Sequence, residues 1–251
     1  MDKLKAAAIH LAISAVVVGV VLSIVFFIWY PAPTFVIAGA LGIIFILIAV
    51  DLVLGPLLTL IVYKKGKKSL KFDLTVIAII QLVALAYGAH TLYMERPYYM
   101  VFNVDRFNIV SEKQIDKEQL RYDELREKPF AETIRVFARL PEGQEFQDFL
   151  DSVLVDGLPD LESRPEFYEP YSNGIEYVKS RIRPLSDLVL ESDLDEQRVA
   201  AAEERYRVDF PEMGYVPVGA LKEDMALLMD RATAEPIGIL KVNPWTKKAS
   251  E

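Results

Sequence analysis

Three long apolar runs fill the first 94 residues, and shorter alternating and helical patterns fill the rest. The runs are Ala6 to Tyr30, Phe35 to Tyr63 and Leu74 to Met94. A helix needs about 20 apolar residues, at about 1.5 Å each, to cross a hydrocarbon core about 30 Å thick, and all three runs meet that length. The second is longer than needed, which predicts a tilted or broken helix. The first follows Lys3 and Lys5 as a signal peptide would, but its length and its Trp29-Tyr30-Pro31 ending suit an uncleaved anchor with an interfacial aromatic belt.

Beyond Met94 the periods change. YYMVFNVDRFNIV reads as a strand leaving the membrane, with Val101, Asn103, Asp105 and Phe107 on one face and Phe102, Val104 and Arg106 on the other. Lys113 to Glu127 predicts a short charged helix with Leu120 and Leu125 inward, and Thr133 to Leu140 a second strand. In EGQEFQDFLDSVL, Phe146, Phe149, Leu150 and Val153 recur at i, i+3, i+4 and i+7, an amphipathic helix. Asp156 to Gly174 is expected to be a long loop, Ile175 to Ile182 a short helix, and Asp193 to Val208 a helix with one shallow apolar face. The tail from Tyr215 to Val242 reads as three strands, the last two joined by a turn at Ala232 to Pro236. The expected fold is therefore a membrane protein with three transmembrane α-helices (residues 1–94) followed by an α+β extracytoplasmic domain (residues 95–251).

Charge sharpens this division. Residues 1–94 carry seven lysines against three acids, while the remainder carries 21 basic and 33 acidic residues. Lys64, Lys65, Lys67, Lys68 and Lys71 lie between the second and third runs, whereas the YPAPT connection between the first two is uncharged. Positive loops stay cytoplasmic, so the N-terminus and the lysine loop are expected inside and the acidic domain outside; in a bacterium this means inner membrane and periplasm. The lysines act as topology determinants and suit contact with anionic lipid headgroups. Such an acidic domain would repel nucleic acid. Among 251 residues there is no cysteine, and no P-loop, GxSxG, HExxH or metal-spaced histidine pattern, so no catalytic site, metal site or cofactor is expected and a non-enzymatic role is.

One residue conflicts with its surroundings. Asp51 lies 12 residues from Tyr63, roughly 18 Å into the membrane at 1.5 Å per residue, where an aspartate costs about 2.5–3.5 kcal/mol. Gly55-Pro56 follows one turn later, and Pro56 removes an amide from the helix ladder. Asp51 either is protonated or bonded to a neighbouring span and pins helix packing, or, with Gly55 and Pro56, receives another membrane segment; ion translocation has little support without a second buried charge. Gln81 is the polar residue nearest in depth, and His10 and His90 near the run ends are poor partners. Gly39, Ala40 and Gly42 are small enough to let another helix approach closely.

The order and spacing of WYPAP, VDLVLGPLLTLIVYKKGKKSLKFDL, IQLVALAYG and ERPYYMVFNVDRF, with the terminal GILKVNPW, resemble the type IV pilin accessory proteins, the TfpX/TfpZ family. Asp51, Gly55, Pro56, Lys67, Asp73, Gln81, Gly88, Arg96 and Pro97 match its recurring positions, the last two at the junction of membrane and domain. The resemblance implies an inner-membrane protein needed for efficient assembly of a particular major type IV pilin, with the pilus assembly platform a further candidate partner; it brings no catalytic site. The competing reading is a membrane sensor or transporter subunit with a periplasmic ligand-binding domain.

Overall fold

The computed structural model describes residues 2–31, 34–127, 130, 132–191, 196–206, 212–219 and 224–245. The chain divides into two compact units. The first contains three helices long and apolar enough to cross a membrane: Lys3–Trp29, Leu41–Val62 and Leu70–Met94. Helix α1 (Lys3–Ile24) ends in a wider turn at Val25–Trp29. After α2 (Thr34–Ile37), the second long helix is built from α3 (Leu41–Ile48), a π-helical turn (Ala49–Leu54) and α4 (Gly55–Val62). Pro56 accounts for that turn. It has no N–H to offer, and its ring would strike the carbonyl four residues back. Widening the helix lets Gly55 N–H reach Val50 O instead.

The third long helix, α5 (Leu70–Met94), buries Ile77, Gln81, Leu85, Gly88 and Leu92. Spacings of three and four place them on one stripe against the other helices. Most large apolar side chains of this unit point outward, as expected where lipid rather than water surrounds it.

The second unit is a mixed sheet in the order β4-β3-β1-β2-β6-β7-β8, with β5 pairing to β6. Its strands are β1 (Pro97–Asn103), β2 (Arg106–Ser111), β3 (Ile134–Ala138), β4 (Tyr168–Pro170), β5 (Arg183–Pro184), β6 (Met213–Gly219), β7 (Met225–Asp230) and β8 (Pro236–Leu240). β1 runs parallel to β3 and β2 to β6; the other neighbours are antiparallel. Every residue of β1 is buried. Met100 and Phe102 enter one core with Phe107, Val216, Leu227 and, from α7 (Tyr171–Arg181), Val178. Tyr99 and Val101 enter another with Val136, Leu120, Leu125 and, from α6 (Gly143–Leu154), Phe149. Successive strand side chains point to opposite faces, so β1 has a core on each side. A third cluster joins Leu185 and Leu188 of α8 (Leu185–Glu191) and Ala202 of α9 (Glu196–Tyr206) to Tyr215, Leu228 and Leu240.

One piece of this unit comes from elsewhere in the chain. Residues 34–39, between the first and second long helices, belong to the sheet unit, and Ile37 of α2 is buried at 1 % exposure in the core of Met100 and Phe102.

Several sequence expectations are corrected. The single strand after Met94 is a hairpin, turning at Val104 and Asp105 with Val104 at φ 53°. The turn pairs Phe102 with Phe107, so these rings share a face, 5.0 Å apart. The helix expected from Lys113 to Glu127 is replaced by three short 3₁₀ turns, although Leu120 and Leu125 are buried as anticipated. Side chains there bind backbone, as Asp116 does to Glu118 N–H, which competes with a helix ladder. The loop expected from Asp156 holds β4 and the start of α7. The first and last residues of the helix expected from Asp193 to Val208 lie outside the described residues.

Candidate functional site

Two buried polar side chains of the membrane unit meet at the widened turn. Asp51, 4 % exposed, sits in the turn, and Gln81 lies on the buried stripe of α5. Gln81 Nε2 donates to the Asp51 backbone carbonyl and to its Oδ1, both at 3.3 Å. Gly55 makes the approach possible: a Cβ there would lie 2.0 Å from Gln81 Nε2 and 2.6 Å from Oε1. Pro56, buried beside it, sets the turn. The four residues singled out in these spans therefore form one constellation, with Asp51 bonded to Gln81.

That clasp is incompletely satisfied. Asp51 Oδ2 and Gln81 Oε1 are buried with no hydrogen-bond partner among the described residues. Two further polar contacts join the helices. His10 Nδ1 on α1 lies 2.5 Å from Thr59 Oγ1 on α4, and the Tyr30 hydroxyl donates to Leu92 O at 2.8 Å. The histidine thus serves Thr59, as sequence alone did not reveal. Of the small residues, Ala40 is buried, Gly39 takes φ 65° in a turn of the sheet unit, and Gly42 is open, with nothing near the place of a Cβ.

The five lysines are exposed, and Lys67 Nζ pairs with Asp73 Oδ2 at 2.6 Å. Arg96 stacks 3.8 Å above the Tyr93 ring and donates to the Tyr93 carbonyl at 2.7 Å; Pro97 opens β1, where a missing N–H is tolerated.

In the sheet unit the buried polar groups have structural work. The Tyr99 and Tyr171 hydroxyls donate to the carbonyls of Leu125 and Ala234 at 2.6 Å, and Tyr168 donates to that of Glu162. Burial pushes all three phenols above the ordinary tyrosine value. Burial pulls the Lys117 ammonium down, but its bonds to Glu112 and Tyr98 outweigh that and raise it. Among the described residues no group of His, Cys, Asp and Glu could hold a metal ion.

Residues 1–39 match the family described as Fimbrial assembly protein FimB. The fimbrial assembly proteins of serogroups I and E1 of Dichelobacter nodosus are each 28 % identical over 228 residues, covering 85 % of both chains. That of serogroups C1 and C2 is 35 % identical over 118 residues, 46 % of this chain and 90 % of the relative. No solved structure matches.

Proposed function

Because this chain belongs to the fimbrial assembly protein family, we propose that it serves pilus assembly as an inner-membrane accessory protein, a chaperone-like helper that binds its cognate major type IV pilin. The observation that carries the reading is kinship over both units: relatives named for fimbrial assembly align over 85 % of the chain, more than the membrane helices alone. Orientation has support of its own. Thr34 to Gly39 is part of the sheet unit, so the connection between the first two spans and everything after Arg96 share one side of the membrane. The exposed lysines take the other, which the positive-inside rule makes the cytoplasm. The domain is then periplasmic.

A pilin awaiting assembly has an apolar helix in the membrane and a head outside it, and this chain has a unit in each environment. In this reading Asp51, Gly55, Pro56 and Gln81 serve the partner from inside, by holding the widened turn whose outer side presents Val53, Leu54, Leu57 and Leu58 to the pilin helix. The periplasmic domain meets the head and sets the choice of pilin. Mass spectrometry of material crosslinked in native membranes and purified in mild detergent tests this. Recovery of the pilin, lost when residues 97–251 are exchanged for those of a relative serving another pilin, is the expected result. Recovery of assembly-platform proteins alone would make the chain part of the machine, and recovery of neither would return weight to a sensor or transporter subunit.

A further inference from the structure

The Asp51–Gln81 clasp has two loose ends, both of them oxygens. Gln81 Nε2 faces two acceptors, the Asp51 carbonyl and Oδ1, which fixes the nitrogen end of the carboxamide. Gln81 Oε1, an acceptor, is left without a donor, and Asp51 Oδ2 is left without a partner. If Asp51 were a carboxylate, both orphans would be acceptors and neither could satisfy the other. A carboxylic acid changes this. Its O–H is a donor on the same group that already accepts from Gln81.

Among the described residues, His10 is the one side chain near enough to set a positive charge against a carboxylate there. From Ala6 to Val62 the ionisable side chains are His10, Tyr30 and Asp51, and α5 has none from Leu74 to Ala86. His10, the one that faces this region from α1, is engaged with Thr59, and the Tyr30 hydroxyl is given to Leu92. The missing Cβ of Gly55 lets the carboxamide lie this close to the turn. An isolated charge in hydrocarbon is costly, and such groups neutralise when they can.

We propose that Asp51 is a proton-binding site: it holds a proton on Oδ2, donated to Gln81 Oε1 while Gln81 Nε2 donates to Oδ1, a two-point acid–amide clasp between the second and third spans. The step is simple uptake of one proton by the carboxylate, with no other bond made or broken. It stands independently of any pilin contact.

Infrared spectroscopy of the full chain in zwitterionic lipid vesicles at neutral pH tests it. The wild type is expected to give a carboxylic acid carbonyl band that moves on ¹³C-aspartate labelling and is absent from Asp51→Asn, which keeps one donor and one acceptor for Gln81. In Gln81→Leu the band should persist at the higher frequency of an unbonded acid. Absence of an aspartic acid band from the wild type overturns the proposal without reference to any variant, as does a band that survives Asp51→Asn unchanged.

Discussion

The two units solve the same packing problem in opposite solvents. In the sheet unit, large apolar side chains are drawn inward from water, and β1 is buried along its whole length between two cores. In the membrane unit most of the large apolar side chains point outward, and the close contacts inside include glycines and polar groups: Gly55 under Gln81, Gly88 under Leu47, Asp51, Thr59 and Tyr30. Lipid tails are as apolar as leucine, so burying a leucine there gains little, whereas close approach and hydrogen bonds retain their value. The same substitution should therefore mean different things in the two units.

The largest contrast is between two isoleucines nine residues apart in sequence. Ile37→Ala, in the sheet core, should cost about 2–5 kcal/mol and lower the resistance of the domain to protease. Ile46→Ala, 65 % exposed on α3, exchanges one lipid-facing apolar surface for a smaller one and should leave thermal unfolding almost unchanged. Equal losses would mean that α2 does not complete the domain core. The result also fixes how the domain should be produced: residues 97–251 without α2 lack Ile37 and should unfold at lower denaturant than the same residues in the whole chain.

Ile37 is also the clearest case of what sequence could not reveal. FVIAGALG runs into the second span without a charge or a break in hydropathy, so a length argument assigns all of it to the membrane. Only the packing of Ile37 against Met100 and Phe102 assigns it to the domain. The hairpin after Arg96 was hidden similarly, because its turn uses Val104 and Asp105 rather than a glycine pair, and a β-branched residue at positive φ is a poor turn signal. What was legible had a physical reason to be. Asp51, Gly55-Pro56 and Gln81 stood out because polar or helix-breaking residues are costly in a span, and α6 because its apolar residues keep the 3.6 period.

Glycine substitutions give the next contrast, smaller and in the opposite direction. A methyl at Gly55 would overlap the Gln81 carboxamide and must displace the clasp, so Gly55→Ala should cost about 1–3 kcal/mol by overpacking. Gly42→Ala, in the same long helix with nothing near its Cβ, should cost nothing and gain a little from better helix propensity. Thermal unfolding of the full chain in one detergent reads both. If they behave alike, the Gly55–Gln81 approach does not hold the helices.

The smallest effect asks whether lipid strengthens a hydrogen bond. Tyr171 and Tyr30 each donate a hydroxyl to a backbone carbonyl far along the chain, Tyr171 to Ala234 at 2.6 Å in the sheet unit and Tyr30 to Leu92 at 2.8 Å in the membrane unit. Removing the oxygen from each leaves a carbonyl to find another donor. Tyr171→Phe should cost about 0.5–1.5 kcal/mol, the usual net worth of such a bond. Leu92 is fully buried, so its orphaned carbonyl has no water at hand, which suggests a larger loss, but the unfolded chain in the membrane is short of donors as well and finds partners of its own. Tyr30→Phe should therefore cost only about 0.6 kcal/mol. A loss several times greater would mean that polar contacts, more than close packing at glycine, hold the three membrane helices together.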